Sequence, residues 1–94
     1  MGYTVTRVTF PLYGQNDGQE ITREIFSKGL IPPIINDRYK KTITHHDIGV
    51  DPYPKQRKDV IVELTDNTTK KQIKRTFSEP PAEGSDRRIF IDLP

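Results

Sequence analysis

His45, His46, Asp47 and Asp51 form the cluster of side-chain types that could ligate a metal ion. On an extended strand, neighbouring residues point to opposite faces, so His45 and His46 do not readily share one ion. The chain has only two histidines, so no histidine elsewhere can supply a further ligand. The segment reads as a polar strand end running into a turn, with Asp47 or Asp51 bonding the local backbone. The two histidines are the groups whose ordinary titration lies near neutrality, which would suit a pH-sensitive contact.

Nucleophilic chemistry has less to work with. There is no cysteine, hence no thiolate, disulfide or thiolate-bound zinc. Ser27, Ser78 and Ser85 lie outside any nucleophile-elbow context. Gly14-Gln15-Asn16-Asp17-Gly18 is flanked by glycine but lacks the lysine of a phosphate-binding loop, and reads as a turn. Asp17, Glu20 and Glu24 could pair for acid–base work, yet helix capping and solvated i,i+4 contacts account for them without a pocket. No catalytic, cofactor-binding or metal-binding residue is assigned, and the expectation is a protein that is not an enzyme.

The remaining candidates are surfaces. Between Arg38 and Arg75 there are ten Lys/Arg and five Asp/Glu, whereas the rest of the chain carries five and eight. Lys40, Lys41, Arg57, Lys58, Lys71, Lys74 and Arg75 in this stretch interleave with Tyr39, Tyr53 and Phe77. Aligned on adjacent strands they would form a stripe that neutralises phosphates while a ring stacks on a base. The plainer role for such lysines is to keep a hairpin from pairing edge to edge. A second surface comes from proline. Three segments, 30–35, 49–58 and 79–86, hold six of the eight prolines. Stiff extended segments lose little entropy on docking, so Ile31, Pro32, Pro33, Ile34, Ile35 and Tyr53 are the candidate protein-contact residues.

The elements that must position these residues are mostly strands. Asp59 to Phe77 reads as a hairpin: Val60, Ile61, Val62 and Leu64, a polar turn at 66–69, then Ile73 and Phe77 alternating with polar residues. Tyr3 to Leu12 reads as a first strand whose apolar phase changes midway, with Val5 odd and Val8 and Phe10 even. A bulge or kink near Arg7 reconciles the halves. Residues 15–30 fit two readings. A helix would take Asp17 as N-cap, Glu20 as capping-box partner and Gly29 as stop; a strand over 20–26 would pair back on the first. Capping favours the helix. Segments 38–48 and 87–93 read as strands, with Leu30 to Ile35 an extended arm laid across something. Asn67-Thr68-Thr69 matches a glycosylation sequon and is more simply a turn.

Ninety-four residues allow a single β-rich domain, 1–94. The expected class is mainly β: a small antiparallel sandwich or partly open barrel with at most one short helix at about 18–28, or alternatively α+β. Core candidates are Val5, Val8, Phe10, Ile25, Ile43, Val60, Val62, Leu64, Ile73, Phe77, Ile89 and Ile91. Only 32% of residues are hydrophobic and 30% charged, a lean supply that suits a chain completing its burial against a partner. No signal-like apolar stretch stands at the N-terminus and no run is long enough to span a bilayer, so the expected setting is the cytoplasm or a particle assembled there. Together these features imply a non-enzymatic interaction or assembly module, such as a small structural subunit of a virion. Its partners would be other protein subunits or a second copy of itself, without cofactor or membrane. The alternative is a nucleic-acid-binding β-domain using the stripe between Arg38 and Arg75.

Overall fold

The computed structural model describes residues 2–80 and 88–94. It is mainly β, with two antiparallel sheets and two short helices. The larger sheet runs β2 (Gln19–Glu20), β1 (Tyr3–Phe10), β5 (Asp59–Asp66), β6 (Gln72–Ser78). The short β3 (Ile34–Ile35) pairs with the other end of β1. A ribbon of β4 (Tyr39–Ile43) and β7 (Ile89–Leu93) forms the second sheet. Among the described residues neither sheet closes on itself.

The phase change in β1 is a bulge. Val5 stands opposite Leu64 and Arg7 opposite Glu63, so Thr6 is the extra residue. That insertion turns Val5 and Val8 to the same face although three positions separate them. Val60, Val62 and Leu64 join them there, and the layer over this face brings Ile25, Ile43, Ile48, Ile89, Ile91 and Leu93, all buried. Ile73 and Phe77 pack against this core but are only half-buried, because β6 is an edge.

Residues 15–30 divide between the two sequence readings. Gln19–Glu20 pairs with Phe10 and Thr9 as a strand, and α1 (Thr22–Ser27) begins immediately after. The Asp17 and Glu20 capping roles therefore give way to a different anchor. The backbone N–H of Val8 donates to Thr22 Oγ1 at 2.9 Å, and that of Ile21 donates to the Val8 carbonyl at 2.8 Å. Gly29, with φ of 66°, ends the helix as expected.

The expectation of at most one helix requires a correction. The strand expected over 38–48 stops at Ile43, and a one-turn helix, α2 (His45–Ile48), follows. Thr44 and Asp47 form a reciprocal capping box: the Asp47 N–H donates to Thr44 Oγ1 at 3.3 Å, and the Thr44 N–H donates to Asp47 Oδ2 at 2.9 Å. Gly49 closes the turn at φ 83°, with the Lys28 ammonium lying where a β-carbon would project.

The arm at 30–35 lies along this chain's own sheet. Val5 donates its N–H to the Pro33 carbonyl at 2.8 Å, and Leu30, Ile31 and Ile35 are buried. The loop expected over 79–86 falls, beyond Pro80, outside the described residues, as does Arg87 at the start of the last expected strand. No helix among the described residues is long and apolar enough to cross a membrane.

Candidate functional site

Among the described residues, the hairpin that the sequence marks most clearly also leaves an edge without a ladder partner, with β7 lying close to part of β6. β5 pairs with β1 on one side and β6 on the other, while β6 pairs with β5 alone. Its polarity follows from the ends of the ladder: Asp66 N–H donates to the Lys71 carbonyl at 2.8 Å and Glu79 N–H to the Lys58 carbonyl at 2.9 Å. Odd-numbered residues of β6 thus direct their peptide groups at β5. Gln72, Lys74 and Thr76 direct theirs away; among the described residues no other strand pairs with them, and the Lys74 carbonyl accepts from the Arg75 guanidinium at 3.2 Å.

Side chains along this edge alternate between two surfaces. Ile73, Arg75 and Phe77 stand opposite Leu64, Val62 and Val60 on the core side. Gln72, Lys74 and Thr76 share the other face with Glu63, which stands opposite Lys74. There, Arg7 bridges Glu20 at 3.5 Å and Glu63 at 3.7 Å, giving a row of alternating sign across four strands. A shallow cleft of about 300 Å³, lined by Thr6, Glu63, Leu64, Gln72, Ile73 and Lys74, lies alongside.

The stripe of seven cations does not come together. Lys71, Lys74 and Arg75 are exposed at β6, and Lys40 and Lys41 are exposed on β4 in the other sheet. Arg57 is held in place, its guanidinium 3.6 Å above the Tyr13 ring and its Nε donating to the Glu79 carbonyl at 2.6 Å. Lys58 departs furthest from the solvated cation expected, with 0% exposure. Its ammonium donates to the carbonyls of Gln56 at 2.7 Å and Tyr53 at 3.0 Å. It also lies 2.9 Å from Asp51 Oδ1 and 3.5 Å from Glu79 Oε1. Oxygens from four residues thus surround one buried cation, an arrangement that closes the 51–58 loop onto the end of β6.

His45 Nε2 lies 3.7 Å from Asp51 Oδ2. Burial alone would raise the Asp51 pKa, but the Lys58 ammonium, with help from His45 and the Tyr53 backbone, outweighs it and holds the group below its ordinary value. His45 and His46 sit on a helix rather than a strand, with ring centroids 4.2 Å apart. Asp47 serves the backbone, as the sequence reading expected. Among the described residues no three His, Asp or Glu side chains gather as a cation-binding set.

The protein-contact candidates also separate. Ile31 and Ile35 are core residues, Pro32 is half-buried, and Tyr53 is half-buried with its carbonyl committed to Lys58. Pro33 and Ile34 face outward, and Ile34 is 53% exposed. Sequence reading missed Phe90, which is 54% exposed on the outer face of the β4–β7 ribbon beside Thr42. The strict alternation of Ile89, Ile91 and Leu93 was the available signal, since it turns Phe90 away from the core.

No family model matches the chain, and no curated protein or solved structure matches it either. The functional reading therefore rests on the geometry of these surfaces.

Proposed function

We propose that this chain is a non-enzymatic protein-interaction or assembly module that engages another protein subunit by pairing a strand with β6. The observation that carries this reading is the row of outward peptide groups at Gln72, Lys74 and Thr76. An unpaired ladder edge supplies ready-made affinity for an extended segment, and the side chains around it supply selectivity. The cleft bounded by Ile73 and Lys74 offers a recess for one side chain of such a segment. A small structural subunit of a larger particle would use its edge in this way.

The test is Thr76→Pro. Proline there removes one outward N–H and leaves the β5–β6 ladder whole, a substitution that edge strands accommodate. Light scattering at low and high salt, with an absorbance ratio for nucleic acid on the same fractions, supplies the readout. An assembly of this chain with another protein subunit that Thr76→Pro disperses, with unchanged circular dichroism, supports the module. An assembly indifferent to Thr76→Pro sinks it.

Phe90 favours a second reading. It offers a ring on a face shared with Lys40, across from Thr42, where a base could stack while the lysine meets a phosphate. Asp92 lies on that face too, but is engaged by the Arg38 guanidinium through two hydrogen bonds of 3.1 Å. A monomer that carries nucleic acid at low salt and sheds it at high salt, with both effects lost in Phe90→Ala, would move this reading to first place.

A further inference from the structure

We infer that the strand accepted by β6 is an acidic extended peptide segment with a definite side-chain order, an inference that rests on the edge-docking reading above. Strand addition places one partner residue opposite each residue of β6, with side chains on matching faces. On the core side the partner meets Ile73, Arg75 and Phe77; on the other face it meets Lys74 and Thr76. Half-buried Ile73 and Phe77 call for apolar residues. Lys74 and Arg75, both exposed, call for carboxylates. The partner positions facing residues 73 to 77 thus read apolar, acidic, acidic, unrestricted, apolar.

Charge decides among the occupants. Lys70, Lys71, Lys74 and Arg75 crowd the start and middle of the edge, and β6 itself contains no acidic residue. A second copy of β6 would bring Lys74 and Arg75 towards their own kind, and like charges facing across a ladder are destabilising. The exposed cations thus oppose self-pairing while remaining open to a carboxylate-bearing strand. Nucleic acid would satisfy the cations but has no peptide groups to complete the ladder at Gln72, Lys74 and Thr76.

The experiment uses the whole chain and a fluorescent synthetic peptide as long as β6, carrying valine at the two apolar positions and glutamate at the two acidic ones. A peptide with lysine for glutamate and a single-stranded oligonucleotide serve as comparators. Anisotropy measures affinity, and amide hydrogen exchange measures the edge. The acidic peptide should bind, more weakly as salt rises, and should slow exchange at the Gln72, Lys74 and Thr76 N–H groups. Lys74→Gln with Arg75→Glu should weaken it by about fivefold or more, and the lysine peptide should not bind.

Binding that leaves those amides unprotected, or that is indifferent to the double substitution, overturns the inference. So does oligonucleotide binding that competes with the acidic peptide without protecting the amides. If the peptide fails while Thr76→Pro still disperses the native assembly, the acidic partner falls and edge docking survives. If Thr76→Pro also has no effect on the assembly, both fall together.

Discussion

Replacing Lys58 by methionine keeps an unbranched stem one atom shorter and removes the cation that Asp51, Glu79 and two carbonyls surround. Glu79 is fully buried, so its carboxylate would lose the Lys58 ammonium away from water. Breaking one side of such a pair costs about 3–5 kcal/mol. Lys58→Met should lower the urea midpoint accordingly, and adding Glu79→Gln, which removes the charge but keeps an oxygen to accept the Lys58 backbone N–H at 2.8 Å, should recover part of the loss. Full destabilisation persisting in the double variant would show that the packing of the stem, not its charge, matters. Asp51 gives the cluster a pH signature. Its folded-state pKa lies below the ordinary 3.8, so the native state releases the proton more readily than the unfolded chain. The resulting stability is complete above about 3.8 and is lost as pH falls through the lowered folded value. Urea titrations in acid should show a smaller decline for Asp51→Asn than for the parent. None of this was legible in Lys55-Gln56-Arg57-Lys58, which reads as a solvated loop. The carboxylate that draws Lys58 inward stands 21 residues later, across a strand pair whose register the local sequence does not state.

The bulge in β1 and the hairpin β5–β6 were readable because each rests on local alternation. Val5 and Val8 cannot both face the core without an inserted residue, and Thr6 supplies it. The end of β4 was readable in principle. Thr44 and Asp47 at capping-box spacing, followed by Gly49, state a helical turn, but the paired histidines and the β-branched residues before them pulled the reading towards a strand. Thr44→Ala should cost about 1 kcal/mol, and Asp47→Ala a similar amount, with less than additive loss in the double variant because the two bonds close one box. Gly49→Ala should be worse than either. Its backbone lies in the left-handed region, and a methyl group would meet the Lys28 ammonium. Thermal melts of the four variants would check the order, and Gly49→Ala melting with the parent would contradict it. The boundary between β2 and α1 was less accessible. It depends on Thr22 reaching across to the Val8 backbone, a contact between segments rather than a preference of either one.

At the scale of the molecule, the arm at 30–35 changes what the lean composition implies. Leu30, Ile31 and Ile35 fill the core from within this chain rather than lying free as a docking surface. The accessible surface of 5787 Å² is what a chain of this length exposes when folded alone, roughly 5,600 Å² by the size relation. Among the described residues, backbone at β6 is left without a ladder partner, and the large side chains Tyr13, Ile34 and Phe90 are exposed. The cations at β6 then act as a gate on association. Converting Lys74 to valine and Arg75 to threonine would remove two charges, raise β-propensity and leave the outward peptide groups in place. The doubly substituted chain should form dimers or larger species whose mass by light scattering rises with concentration and does not fall with salt. Adding Thr76→Pro should return it to the monomer, because the proline removes a donor from the pairing edge without touching β5. A monomeric Lys74→Val, Arg75→Thr chain at every concentration would mean that twist or the neighbouring ribbon, rather than charge, already guards this edge.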